Sequence, residues 1–146
     1  MKYNCYPKRD AIRDYFPLPN EIFCLGLSSG EIAVYAYLLC RENRKTFQCH
    51  PSFRTIGDAL NMSRNTVSKY VKQLEDKQLI RTEPTEIRMA NGIKRNGNLL
   101  YTILPIEQAK SLYFEQQLQR AICQQAHEKA IRKLERYDRQ KKREAV

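Results

Sequence analysis

Three residues, Asn61-Met62-Ser63, separate two stretches of helical apolar spacing, and no other feature limits the fold of this chain as tightly. Upstream, Phe53, Ile56, Ala59 and Leu60 fall on one face of a short helix expected over residues 52–60. Downstream, Ser63 is a good N-cap, and Val67, Tyr70, Val71 and Leu74 form the apolar stripe of a helix ending near Lys77. The link between them is tight.

A further helix precedes this pair. Ser28-Ser29-Gly30-Glu31 has the S-x-x-E form of a capping box, in which the serine accepts from an early amide and the glutamate reaches back to the cap. Ile32, Tyr35, Leu38 and Leu39 follow at helical spacing, so a helix is expected over 29–42. Residues 43–51 read as a polar connection, with Thr46-Phe47-Gln48-Cys49 as a short extended piece. Residues 1–20 hold three of the six prolines, so the chain is expected to enter as an irregular arm over 1–14. Tyr15, Phe16, Leu18, Ile22 and Phe23 are available to pin its end onto a core.

After Lys77 the period changes. Leu79-Ile80-Arg81-Thr82-Glu83 and Leu99-Leu100-Tyr101-Thr102-Ile103-Leu104 are rich in branched and aromatic residues and read as strands. Between them lie two turn dipeptides, Asn91-Gly92 and Asn96-Gly97, so a β-hairpin with a long tip at 87–98 is expected. The order helix, helix, turn, helix, hairpin is the layout of a winged helix-turn-helix. The expected class is mainly α with a small antiparallel β-wing, over residues 15–104.

Burying Val67, Val71 and Leu74 turns Arg64, Asn65, Thr66, Ser68, Lys69, Lys72 and Gln73 outward, with no acidic residue before Glu75-Asp76. Bidentate-capable donors near a helix N-terminus suit the base edges of a major groove, and that terminus itself favours phosphate. Ser63, Arg64, Asn65, Thr66, Ser68, Lys69 and Lys72 are therefore the expected reading residues. Arg88, Lys94 and Arg95 in the hairpin tip are expected to reach the DNA backbone or a minor groove.

The same residues carry a family resemblance. Ile56-Gly57-Asp58-Ala59-Leu60-Asn61-Met62-Ser63-Arg64-Asn65-Thr66-Val67, then Tyr70-Val71, Leu74-Glu75 and Leu79-Ile80, resemble the bacterial winged-helix pattern. In that pattern a small-residue helix and a turn lead into "S-R-x-T-V", and "L-E-x-x-x-L-I" leads into the wing. Within it the chain is most similar to helix-turn-helix proteins of plasmids and conjugative elements, including the N-terminal domains of RepA-type replication initiators. Phe16-Pro17-Leu18-Pro19-Asn20, Leu27 to Glu31 and Tyr35-Ala36-Tyr37-Leu38 fit their usual entry. The resemblance implies double-stranded DNA binding and covers roughly residues 15–104. Gly57 departs from it, standing where alanine is common, and is expected to loosen that helix slightly.

Pro105 sits where a last helix could start, and neither Pro nor Gly follows it. Residues 106–142 are mostly strong helix formers, and a single helix of that span would be about 55 Å long. Leu118, Ile122, Ala126, Ala130, Leu134 and Tyr137 form an apolar line along it whose spacing drifts from a strict heptad. Three roles stay open for 105–146: dimerisation, which is preferred, fold-back on the chain's own domain, and a basic arm ending in Arg139-Gln140-Lys141-Lys142-Arg143 that grips phosphates. Paired readers would suit a palindromic operator.

Charge supports an anionic partner. The 146 residues carry 26 Lys+Arg against 16 Asp+Glu, net +10, and eight of those ten net charges lie after Leu60. Four fall in 61–104 and four in 105–146. No run of about 18 apolar residues occurs, so no membrane span is expected. Met1-Lys2-Tyr3-Asn4-Cys5 has no apolar stretch behind it, and five irregularly spaced cysteines argue for a reducing compartment. A cytoplasmic protein, nucleoid-associated when DNA-bound, is expected.

Other chemistries find little support. Cys49-His50 and the pair Cys123 and His127 have metal-ligand types, but no C-x-x-C occurs, so no metal is expected. No phosphate-cradling glycine loop, HExxH or nucleophile elbow is present, so neither enzymatic activity nor a cofactor is expected. The expected function is sequence-specific double-stranded DNA binding by a homodimeric transcriptional regulator of a bacterial mobile element. Two alternatives remain: a plasmid or transposon replication-initiation module binding origin repeats with replisome partners, and a winged-helix protein-interaction scaffold.

Overall fold

The computed structural model describes residues 15–145, so the irregular arm expected for 1–14 lies outside the described residues. The chain divides into two compact units, Met1–Ala109 and Lys110–Val146. Within the first, a 3-10 turn at Asn20–Cys24 buries Ile22 and is followed by buried Leu25. Phe23 in the same turn is 69% exposed, so Ile22 and not the phenylalanine anchors this end.

Helix α1 (Ser29–Arg41) starts at the expected capping box, with the Glu31 amide donating to Ser28 Oγ and the Ser28 amide donating to Glu31 Oε2. It buries Val34, Tyr35 and Leu38. Strand β1 (Gln48–Cys49) follows, then helix α2 (Phe53–Leu60), capped by Ser52 Oγ accepting from the Thr55 amide. Helix α2 turns nearly the expected face inward: Ile56 is buried and Phe53 and Leu60 are half-buried, but Gly57 takes the buried place expected for Ala59, which is exposed. Asn61 ends the helix at φ 54°, a left-handed conformation that asparagine tolerates.

Helix α3 (Arg64–Asp76) buries Val67, Val71 and Leu74 and packs against α1 and α2. Its end is a Schellman arrangement. Gln78 sits at φ 58°, its amide donates to the Glu75 carbonyl, and the Leu79 amide donates to the Leu74 carbonyl. Leu74 and Leu79, at the two positions that a Schellman turn commonly makes apolar, are both fully buried. A left-handed residue other than glycine costs roughly 1 kcal/mol, so Gln78→Gly is expected to stabilise by about 0.5–1 kcal/mol. Thermal unfolding reads this as a higher Tm; a lower one would show that the glutamine side chain contributes more than the backbone relief.

Strands β2 (Ile80–Glu83), β3 (Glu86–Arg88), β4 (Lys94–Asn96) and β5 (Leu100–Ile103) form the wing. The sheet order is β1-β5-β2, antiparallel throughout, with Ile80 opposite Ile103 and Gln48 opposite Thr102. The expected long tip is itself a ladder, β3 with β4. Only one of the two Asn-Gly pairs makes its turn: Gly92 sits at φ 78° and its amide donates to the Met89 carbonyl. Asn96-Gly97 instead lies where the two ladders join. There two residues, Pro84 and Thr85, face three, Gly97, Asn98 and Leu99, which makes a bulge. Pro84 has no amide to continue the first ladder, the Gly97 amide donates to the Thr85 carbonyl at 2.6 Å, and a Cβ at Gly97 would collide with the Thr85 side chain.

Helix α4 (Ile106–Glu144) begins directly after Pro105, and its Ala109 is buried within the first unit. Residues 118–145 are all exposed.

Candidate nucleic-acid interface

The outward face of α3 is the one the sequence indicates. Arg64, Asn65, Ser68, Lys69 and Lys72 are exposed, Thr66 and Gln73 are half-buried, and no acidic residue interrupts them before Glu75. Ser63 and Thr66 have a second duty. Ser63 Oγ accepts from the Thr66 amide at 3.2 Å and lies 2.8 Å from Thr66 Oγ1, so both hydroxyls belong to the cap that starts the helix. Lys69 Nζ rests 5.8 Å from the centre of the Tyr70 ring, and that ring lies against Gly30 of α1, where a Cβ would not fit. Helix α3 therefore approaches α1 closely while its cationic side stays clear.

Three contacts fix the orientation of α3, and only a part of them shows in local sequence. At the N-terminal end, Gly57 faces the Met62 carbonyl of the turn so closely that a Cβ would strike it. The departure from alanine is thus a packing requirement and not the simple loosening expected from helix propensity. At the C-terminal end, Lys77 Nζ meets Glu31 Oε1 at 2.7 Å, with the Glu31 side chain 3% exposed. Glu75 Oε1 accepts from the Thr82 amide at 3.1 Å and from Thr82 Oγ1 at 2.8 Å, tying the helix to β2. The "L-E-x-x-x-L-I" run now has a physical meaning. Leu74, Leu79 and Ile80 are core, and Glu75 brackets the wing to α3.

Glu31 is held ionised. Burial pushes its carboxyl pKa up, but the Lys77 ammonium and the Ser28 amide and hydroxyl together bring it below the ordinary carboxylate value.

The wing cations divide between two faces. Arg88 stands opposite Lys94 and shares its face with Glu86, whose Oε2 lies 3.2 Å from Lys94 Nζ. Arg95 stands opposite Ile87 on the other face. Met89, whose amide donates to Ile93, continues that second face, which exposes Ile87, Met89 and Ile93 at 41–57%. Arg88, Lys94 and Arg95 therefore do not form one patch. The apolar face was missed because strand register, which decides faces, is not visible in the residues.

The expected metal-ligand types do not form a cluster: among the described residues no group of three or more His, Cys, Asp or Glu is placed to hold a metal ion. Cys49 is buried, its thiol lies 3.6 Å from the Leu38 carbonyl, and burial raises its pKa to about 11. His50 is exposed. No helix of the described residues is long and apolar enough to cross a membrane.

On helix α4, Leu118, Ile122, Leu134 and Tyr137 are 51–65% exposed, and Ala126 and Ala130 are exposed as well. At about 100° per residue, Leu118 and Leu134 point roughly 160° apart, so the six residues wind around the helix. Cys123, Ala126, Ala130, Leu134 and Tyr137 share a narrower face, with steps of three, four, four and three that fit an eleven-residue period.

Comparison with known proteins agrees with the helix-turn-helix part of the arrangement. Residues 25–80, less than half of the chain, match a family model described as a helix-turn-helix domain. None of the curated proteins compared with the chain matches it. A solved structure described as a "possible transcriptional regulator from Methanosarcina mazei Go1" is similar at 19% identity, covering 73% of this chain and 83% of that one, with a TM-score of 0.47. The matched segment spans α1, α2, the turn, α3 and the first residue of β2, and a helix-turn-helix domain there supports DNA as the partner.

Proposed function

We propose that the chain is a sequence-specific, double-stranded DNA-binding regulator of transcription that works without enzymatic activity or cofactor. The observation that carries this reading is the exposed face of α3, where Arg64, Asn65, Ser68, Lys69 and Lys72 stand together with no acidic residue on the helix before Glu75. Arginine and asparagine offer bidentate donors to guanine and adenine edges, and the lysines supply phosphate contacts. Ser63 and Thr66 serve mainly to present that face, and the wing residues Arg88, Lys94 and Arg95 contact the backbone from two sides.

The resemblance of the 56–80 segment to proteins of plasmids and conjugative elements supports a mobile-element context and a cytoplasmic, nucleoid-associated location. The same resemblance favours a second reading, a replication-initiation module that binds origin repeats and engages replisome partners. Selection from a random duplex pool tests both. A regulator is expected to enrich one palindromic site, an initiator a site that recurs in tandem, and a protein-interaction scaffold no site at all.

Homodimerisation through α4 belongs to the same reading. Apolar side chains of this size on a long helix are favoured to pair in water. Ala130→Glu with Leu134→Glu is expected to convert a dimer into a monomer in light scattering. A mass unchanged at the dimer value would place the interface elsewhere.

A further inference from the structure

The densest positive charge of the chain is not on α3. Residues 129–143 of α4 hold eight basic and two acidic side chains, whereas 61–104 hold eight and four over nearly three times the length. Lys129, Arg132, Lys133, Arg136, Arg139 and Arg143 recur at steps of three and four, with Arg132 and Lys133 adjacent. On a continuous helix these six fall within an arc of about 120°. Glu128, Glu135 and Asp138 lie along one flank of that arc, and Ala126, Ala130, Leu134 and Tyr137 lie roughly 125° away on the apolar face.

A solvated helix face does not explain this pattern. Solvating faces intersperse opposite charges at i,i+4, and like charges at that spacing destabilise a helix by about 0.2–0.5 kcal/mol per pair. Here Lys129 and Lys133, Arg132 and Arg136, and Arg139 and Arg143 are like pairs at that spacing. Arg139 has one acidic contact, Glu135 Oε2 at 3.8 Å, but with the two side chains 77% and 57% exposed it is weak. The helix macrodipole favours cations only in the last turn, which accounts for Lys141, Lys142 and Arg143 and not for the row upstream. A straight row of like charges is relieved by a linear polyanion.

We propose that the face of α4 formed by Lys129, Arg132, Lys133, Arg136, Arg139 and Arg143 is a second DNA contact, one that binds the phosphate backbone of a duplex without reading its sequence. The inference rests on the reading of the chain as a DNA-binding protein. The row is about 21 Å long, and duplex DNA carries one charge per roughly 1.7 Å of axis, so every cation of the row has phosphates within its span. Its arginines and lysines act there as backbone ligands, separate from the bases read by α3.

The test uses the full chain carrying Lys129→Gln, Lys133→Gln, Arg136→Gln and Arg143→Gln together, with glutamine chosen to keep helix propensity. Binding to a random-sequence duplex is measured across a salt series, beside the site enriched by selection. Circular dichroism is expected to be unchanged. The slope of log K against log salt is expected to fall by about 3.6, at roughly 0.9 for each of the four lost phosphate contacts, with at least a tenfold loss of affinity at moderate salt. The ratio of selected-site to random-duplex affinity is expected to stay as in the wild type. If the wild type shows no preference for any site but the slope still falls, the regulator reading fails and the α4 contact stands. An unchanged slope and affinity overturn the contact. So does binding by this face to phosphatidylserine vesicles without a matching effect on duplex DNA.

Discussion

Glu31→Ala is expected to destabilise the winged-helix unit by about 2–4 kcal/mol near neutral pH. The substitution removes two contacts at once: the carboxylate that accepts from the Ser28 amide, which is the glutamate half of the capping box, and the partner of Lys77; the Glu31 amide can still donate to Ser28 Oγ. The first satisfies the backbone donor of the N-cap residue of α1, where an unpaired group is costly. Lys77 is 39% exposed, so solvent screens its side of the pair and the value falls short of a fully buried bridge. Lys77→Met leaves the carboxylate 3% exposed and without its counter-charge, and is expected to lower stability by a smaller amount.

The two variants differ from the wild type in a pH-dependent way. The folded pKa of Glu31 lies below its unfolded value, so its contribution is complete above the ordinary carboxylate pKa of 4.5 and is lost as pH falls through the folded value. The gap in Tm between wild type and Lys77→Met is therefore expected to be widest near neutrality and to narrow below pH 4.5. A gap that stays constant into acid would show that Lys77 stabilises by packing of its stem and not by its charge.

Gly57→Ala is expected to lower stability by about 1–2 kcal/mol, against the direction that helix propensity alone would give. Alanine gains up to about 1 kcal/mol over glycine in an open helix interior. Here its methyl would meet the Met62 carbonyl, which is backbone and fixed by the turn into Ser63. Either α2 or the turn must shift, while Val67, at 3.7 Å from the added methyl, leaves room on its own side. Thermal unfolding decides the sign. A raised Tm would mean that the turn relaxes freely and that the glycine is only a weak helix former. Because the turn sets the direction of α3, the variant is also expected to bind DNA less tightly at temperatures where it remains folded.

Much of this fold was legible because its signals are local. The capping box at Ser28 and Glu31, the cap at Ser63, and the stripes through α1 and α3 each involve residues within one or two turns, and each appears where expected. What sequence spacing left hidden depends on residues far apart. Glu31 could be read as a cap, but not as the partner of Lys77, 46 positions away. The role of Gly57 needed the path of the turn. Asn96-Gly97 looks like a hairpin turn, yet the bulge opposite Pro84 uses it for a change of register, and that change decides which wing residues face together. On α4 the helix itself was plain. Its basic end was plain too, but the row from Lys129 to Arg143 emerges only when the charges are placed by helix face.

The central claim is that α3 reads base sequence. It is tested most directly by comparing wild type with the Arg64→Ala, Lys69→Ala double variant on the selected duplex and on random duplex at one salt concentration. Both side chains are exposed and lie outside the core, so folding is expected to be unchanged in thermal unfolding. Loss of a bidentate contact and a phosphate contact is expected to reduce affinity for the selected site by about 30-fold or more, while affinity for random duplex falls far less. Specificity would then collapse while general binding persists. If the double variant keeps both its affinity for the selected site and its preference over random duplex, the bases are read by some other part of the molecule.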